Sequence, residues 1–275
     1  MTERDETKQD FERALQRLRQ LPDAARARVQ GRFSQALLDE TFEIETPRGP
    51  LTFVILGRGS SIRAMSALRK QPATIEWIDS FSPGSVFWDV GANVGVYALY
   101  AARRGDTTVV AFEPAAVNFF LLAANCEANG LDAQVDCLLI GLGSEKSIGH
   151  MAVSQFVPAE SFRFRGTSTT KHPTQQAALM LSMDQLVEEY GAACPNYIKI
   201  DVPALTEAII IGGARLLGRP EVRELHIEMR EDSATGRRIA GILDRAGFEV
   251  VGRPTRGGST DLIFARRGSS ARAIA

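Results

Sequence analysis

The sequence predicts an α/β protein in which a mostly parallel sheet is covered by helices on both faces. Three observations point there. From Gly84 onward, short apolar runs alternate with segments of helical spacing, the order that builds strand–helix–strand units. The stretch FWDVGANVGVYALYAA, from Phe87 to Ala102, passes from a strand through a glycine-punctuated turn into a helix. The chain has 275 residues, 44% of them apolar, enough for one large core or a core with a small appendage.

Residues 8–40 show helical spacing, with Phe11, Leu15, Leu18 and Leu21, then Val29, Phe33 and Leu37, interrupted near Pro22. Such a face packs on the main domain, pairs with a second subunit or covers a substrate. FEIETPRGPLTFVIL (42–56) alternates on both sides of Pro-Arg-Gly-Pro and reads as a β-hairpin. A mixed segment carrying PATIEWID (72–79) follows, in which Trp77 and Ile78 are expected to pack. VFWDV (86–90) is a strand, Gly95–Arg104 a helix and TVVAFE (108–113) the next strand. A helix from Pro114 stops at Asn129-Gly130, with proline near its first turn and glycine past its end. QVDCLLIGL (134–142) reads as a third strand and 143–176 as a polar connection. LMLSMDQL (179–186) and YIKID (197–201) come next, then a helix to about Leu217, the strand RELHIEM (223–229) and a helix over 233–246. FEVVG (248–252) and TDLIFAR (260–266) are so briefly joined that they must be antiparallel neighbours. The expected division is an extension over 1–82, a main domain over 83–267 and a disordered tail over 268–275.

Bulk properties exclude several classes. With 32 basic and 33 acidic residues the net charge is −1, without the basic footprint of a nucleic-acid binder. Cys126, Cys137 and Cys194 form no C-x-x-C pair, so buried reduced thiols are expected rather than disulfides or a zinc site. No His, Asp and Glu cluster has metal-ligand spacing, and no metal is expected. The charged start MTERDETKQD has no signal-peptide pattern, and no apolar run is long enough to span a bilayer, so the expected location is the cytoplasm.

In open α/β sheets ligands sit at the carboxyl ends of the strands, where the strand order reverses. A dinucleotide turn, G-x-G-x-x-G, requires a second glycine where this chain has Asn93 between Gly91 and Gly95. A nicotinamide-dependent dehydrogenase is therefore disfavoured. Asp89, just before the turn, repels a diphosphate but attracts an ammonium. An amino-acid group fits, its ammonium near Asp89 and its carboxylate at the following helix start. Eighteen residues after Gly95, Glu113 ends the second strand, where a carboxylate accepts both hydroxyl protons of a ribose diol. Amino acid plus ribose describes S-adenosyl-L-methionine. The plainer alternative for the two glycines is tight strand–helix packing with no ligand.

WDVGANVGVYALYAA, AFEPAAVNFFLLAANCEANG, YIKIDV and LHIEM together resemble the FkbM-type family of S-adenosyl-L-methionine-dependent methyltransferases, over about Gly84 to Arg266. The resemblance implies a Rossmann-like class I methyltransferase fold, with a seven-stranded mostly parallel sheet and an antiparallel last strand. It implies O-methylation of a hydroxyl on a small molecule, glycan, lipid or secondary metabolite. By similarity Asp89, Gly91, Asn93 and Gly95 hold the methionine end and Glu113 the ribose, while Pro114, Asn118, Ile140 and Gly141 line the adenine. For Asn118 the alternative is a solvated helix residue. Where the family carries D-[VI]-E-G-x-E, this chain reads Asp201-Val202-Pro203-Ala204, with Glu207 one residue late. Proline removes a donor and fixes φ, so a remodelled acceptor pocket or reduced activity follows.

Asp201, at the end of YIKID, is the first candidate for the base or acceptor-orienting group, its alternative being an N-cap for the next helix. Glu228 and His226 face one side of LHIEM. By similarity Glu228 lines the acceptor pocket, whereas His226 reads as a core histidine. His150 and His172 suggest no chemistry. The aromatic-spiked segment 154–174 reads as a lid or as disorder. The leading expectation is an O-methyltransferase, and the rival is an S-adenosyl-L-methionine-binding partner or regulatory subunit without turnover. A homodimer through the amphipathic N-terminal helices is also expected.

Overall fold

The computed structural model describes residues 3–152, 159, 163–164, 175–202, 204–256 and 259–268, which fall into two compact units, Met1–Thr41 and Phe42–Ala275. The first unit is a pair of helices, α1 (Glu3–Arg19) and α2 (Asp23–Asp39), separated at Pro22. Pro22, the N-cap of α2, has no N–H with which to continue the α1 ladder, which explains the break. No residue of α2 is buried, and Phe11, Val29, Phe33 and Leu37 are exposed.

The second unit begins with a two-stranded sheet of β1 (Thr41–Ile44) and β2 (Leu51–Val54), turned at Gly49, then α3 (Arg58–Ser66) and α4 (Pro72–Asp79). The alternation that follows runs β3 (Val86–Val90), α5 (Val96–Ala102), β4 (Thr108–Phe112), α6 (Ala116–Ala128) and β5 (Val135–Leu138). Next come β6 (Gly141–Leu142), β7 (Ser147–Ala152), β8 (Arg163–Phe164) and β9 (Gln175–Leu181). The chain closes with α7 (Met183–Glu188), β10 (Tyr197–Ile200), α8 (Thr206–Ile211), β11 (Glu224–Glu228), α9 (Ala234–Arg245), β12 (Phe248–Gly252), β13 (Thr255–Arg256) and β14 (Ser259–Arg266).

Seven strands line up in the order β12-β14-β11-β10-β3-β4-β5, and β13 pairs only with β14. The pairs β11–β10, β10–β3, β3–β4 and β4–β5 are parallel, whereas β14 is antiparallel to both its neighbours. The sheet is thus the seven-stranded, mostly parallel one with an antiparallel last strand. Strand order reverses between β3 and β10, which places the ligand crevice at their carboxyl ends. Both strands are almost wholly buried, as expected of parallel strands covered on two faces.

Within this unit the stretch from β2 to α4 is fastened to the sheet and its helices by several contacts. Trp77 of α4 is fully buried, meets Phe81 edge-on with centroids 4.8 Å apart, and donates from Nε1 to Glu224 Oε2 at 2.7 Å. Phe81 stacks on Tyr197 at 3.9 Å. On the other side Asn125 of α6 accepts from Val54 N at 2.7 Å and donates to Val94 O at 2.8 Å, tying β2 to the glycine turn.

Three expectations need correction. The strand read over 134–142 ends at Leu138, and Gly141–Leu142 pairs instead with Met180–Leu181 of β9. The polar connection 143–176 contains β7, which joins β6, β8 and β9 in a separate four-stranded sheet. The helix expected to reach Leu217 stops at Ile211 because Gly212-Gly213 follows, and a Cβ at Gly212 would lie 2.1 Å from Gly143 O. Most of 154–174, and the tail beyond Gly268, lie outside the described residues.

Candidate functional site

The turn after β3 is built by its backbone. Gly91, Asn93 and Gly95 have φ of +83, +55 and +89, the left-handed region that glycine and asparagine tolerate best. A Cβ on Gly91 would stand 2.9 Å from Asp201 O, and one on Gly95 2.6 Å from Leu122 Cδ1. Gly91 is therefore demanded by close packing on backbone, which also brings the turn against the tip of β10, and Gly95 by its positive φ. The N–H groups of Gly91 and Ala92 donate to Phe112 O, and that of Gly95 to Ala92 O.

Asn93 N donates at 2.9 Å to Glu113 Oε2, and Ala115 N at 2.9 Å to Glu113 Oε1. Glu113 thus directly follows β4 with its carboxylate clasped between two turns and only 6% exposed. Burial pushes its pKa up to about 7, against the lowering effect of those two N–H donors. Glu113 N donates to Leu138 O, so the end of β5 lies beside it. Pro114 O accepts from Gln176 Nε2 at 2.7 Å. Asn118 is buried rather than solvated, and its Oδ1 accepts from Ala159 N at 2.8 Å. Ile140 is partly buried against the core, and Gly141 is buried in β6.

At the centre lies a group the sequence reading missed. The register that pairs Lys199 with Asp89 and with His226 sets these three side by side across β3, β10 and β11. Lys199 Nζ is 3.6 Å from Asp89 Oδ1 and 3.2 Å from Asp201 Oδ2, and sits 4.8 Å from the centre of the Tyr97 ring. Asp89 is wholly buried, and neither carboxylate oxygen has a close hydrogen-bond partner. Burial raises its pKa, and Lys199 opposes the rise. Burial also disfavours the Lys199 charge, but Asp201 and Asp89 outweigh it and hold the ammonium above its ordinary range. Asp201 keeps its side chain 27% exposed, and because the N-cap of α8 is Leu205 it does not cap that helix. The one signal available was a lysine inside the otherwise apolar YIKI, whose four residues are all buried.

Glu228 is half-buried on β11, across from Asp261 of β14. His226 is a buried core residue, 3.3 Å from Thr74 Oγ1, and burial and then Lys199 push its pKa down to about 3. Glu207, the late glutamate, forms a two-pronged ion pair with Arg238 of α9 at 2.5 and 2.8 Å. Ala204 is exposed, and Pro203 lies outside the described residues.

An open cleft of about 430 Å³ brings together Gly91, Asn93, Lys199 and Asp201, whereas Asp89, Glu113, Asn118 and Glu228 do not line it. One wall is the 91–94 turn with Tyr97, Lys199 and Asp201, and the facing wall is Arg63, Ser66, Lys70 and Gln71 at the end of α3 and before α4. The facing wall escaped the sequence reading because nothing local marks it. Among the described residues no group of three or more His, Cys, Asp and Glu side chains is arranged to hold a metal, and no helix is long and apolar enough to cross a membrane. A cofactor with an amino-acid end, a ribose and a base fits this donor and acceptor set. Glu113 presents a clasped carboxylate, and Gln71 Oε1 is a buried acceptor without a partner.

A seven-stranded sheet with one antiparallel strand, carrying a carboxylate at the tip of the strand beside the glycine turn, defines a Rossmann-like S-adenosyl-L-methionine-dependent methyltransferase. Residues 89–250, more than half of the chain, match the family model described as the methyltransferase FkbM domain, and the chain belongs to that family. It is similar to the 31-O-demethyl-FK506 methyltransferase FkbM of Streptomyces tacrolimicus, 28% identical over 197 residues that cover 62% of this chain and 74% of the relative. It is also similar to the methyltransferase sdnD of Sordaria araneosa, 28% identical over 192 residues, or 59% and 73% of the two chains. A crystal structure of methyltransferase FkbM from Methylobacillus flagellatus KT aligns with a TM-score of 0.49 at 15% identity over 76% of this chain, which spans 56% of that one. Streptococcus pneumoniae Sp1610, assigned as a tRNA (m1A22) methyltransferase and solved with S-adenosyl-L-methionine, aligns with a TM-score of 0.45 at 16% identity, covering 72% and 74% of the two chains.

Proposed function

We propose that this FkbM-family methyltransferase methylates a hydroxyl group on a small molecule, glycan or secondary metabolite, with Asp201 as the group that orients the hydroxyl and takes its proton. The carrying observation is a partly exposed carboxylate on the cleft wall, paired with a buried lysine 3.2 Å away. The bound cofactor supplies an activated methyl group on a sulfonium. The chain's own residues then have to align the acceptor, exclude water and remove one proton. Glu113 is assigned to the ribose hydroxyls, and Pro114, Asn118, Ile140 and Gly141 to the base. Gly91, Asn93 and Gly95 shape the turn that the methionine end lies against, and Asp89 acts through Lys199. Glu228 is assigned to the far side of the acceptor pocket. The name of the Streptomyces tacrolimicus relative, which specifies transfer to an oxygen, supports the hydroxyl reading.

The test is to incubate the purified protein with labelled cofactor and a panel of hydroxylated acceptors. Transfer to an alcohol, reduced about 100-fold or more in Asp201→Ala, is the expected result for loss of a general base. Binding of S-adenosylhomocysteine without transfer to any acceptor would favour the second reading, a cofactor-binding subunit without turnover. One observation keeps that reading in view: Glu207, the nearest match to the family's second glutamate, is engaged with Arg238 rather than lining the cleft. We also propose a homodimer formed through the exposed apolar residues of the N-terminal helices.

A further inference from the structure

The strand-side wall of the cleft has little left to offer an amino-acid group. Gly91, Ala92, Asn93 and Gly95 all use their N–H groups inside the fold. Asp89 is fully buried, and a cation of the chain itself, Lys199, already stands 3.6 Å away. The facing wall differs. Gln71 occupies the N-cap of α4, yet its side chain makes no capping bond. The residue is only 5% exposed, it lines the cleft with Asn93, Lys199 and Asp201, and its Oε1 has no hydrogen-bond partner. A buried amide oxygen without a donor is rare in a folded protein, and on a residue that lines a cleft it marks where a ligand's donor can complete the bond. Lys70 and Arg63 line the same wall, so positive charge lies beside that acceptor.

We propose that Gln71 and Lys70 hold the amino-acid end of the cofactor, the Gln71 amide oxygen accepting from the α-ammonium and Lys70 facing the α-carboxylate. A side-chain amide and a neighbouring cation together complement a zwitterion, which a hydroxyl acceptor is not. The assignment rests on the reading of this cleft as the cofactor site.

Two ligands separate the parts. S-adenosylhomocysteine carries the ammonium and carboxylate, whereas 5′-methylthioadenosine keeps the sulfur, ribose and base and lacks both. Calorimetry on the full-length protein should show Gln71→Met weakening S-adenosylhomocysteine about tenfold or more, as for a lost bond to a charged group, with 5′-methylthioadenosine affinity unchanged. Lys70→Met should weaken the same ligand less, and the loss should shrink as salt is raised. Should Gln71→Met fail to fold, Gln71→Asn, which withdraws the amide by one carbon, is expected to show the same selective loss. Wild-type affinity for S-adenosylhomocysteine in a folded Gln71 variant overturns the proposal, and so does equal weakening of both ligands. If the wild-type protein binds neither ligand, the reading of the cleft itself has failed.

Discussion

Glu113 is a carboxylate placed where ionisation is hard, and this has a readable consequence. Its folded-state pKa, raised by burial to about 7, lies above that of an unfolded glutamate. Between the two values the folded chain binds the extra proton. Glu113 therefore contributes stability that is fully present below the unfolded pKa and is lost as pH rises through about 7. A ribose diol donates to the ionised form, so ligand binding near neutral pH should expel that proton. Calorimetry of S-adenosylhomocysteine binding in buffers of different ionisation enthalpy should show proton release near pH 6.5, absent in Glu113→Gln. Equal heats in every buffer would refute the assignment. Lys199 makes the complementary case. Lys199→Met strands Asp89 in the interior without a counter-charge, a change of the kind that costs about 3–5 kcal/mol, and urea unfolding should show it. Adding Asp89→Asn should restore part of the loss. Glu113 was legible in the sequence because its distance from the glycine turn is fixed along one stretch of chain. Lys199 and Gln71 were not, because the groups around them come from other strands and another helix.

At the scale of elements, each wall of the cleft depends on local backbone geometry. The β3–α5 turn needs three left-handed residues within five, and a methyl group at Gly95 would push aside the Leu122 side chain of α6. Gly95→Ala should lower stability by about 1–2 kcal/mol from backbone strain alone, and further from displacement of Leu122. Thermal unfolding measures the loss, and an unchanged melting temperature would contradict the geometry. The strands flanking this turn were readable because continuous apolar runs between turn signals survive in the sequence. The break at Leu139-Ile140 was not. An apolar run gives no sign that its last two residues leave one sheet for another, since that pairing is decided by β9, some 40 residues on. The short α8 was equally hidden, for the Gly212-Gly213 step is explained only by the backbone of Gly143 beside it.

At the scale of the whole molecule, alternation of strands and helices was sufficient to locate the crevice, since strand order in such sheets reverses where the ligand binds. The same reasoning did not reveal the four-stranded sheet of β6 to β9, whose strands lie partly in a stretch that reads as polar connection. The N-terminal unit obeys a different logic. Phe11 and Phe33 are 59% and 62% exposed on helices otherwise rich in charge, and α2 buries nothing. Large aromatic side chains left in water on both helices gain from any surface that covers them, and identical surfaces on two copies satisfy the symmetry of an isologous pair. The full chain should therefore sediment as a dimer at micromolar concentration. Phe11→Glu with Phe33→Glu should turn it into a monomer without weakening S-adenosylhomocysteine, because neither residue lines the cleft. A wild-type chain that sediments as a monomer at every concentration would remove the dimer from the account and leave the cleft chemistry as it stands.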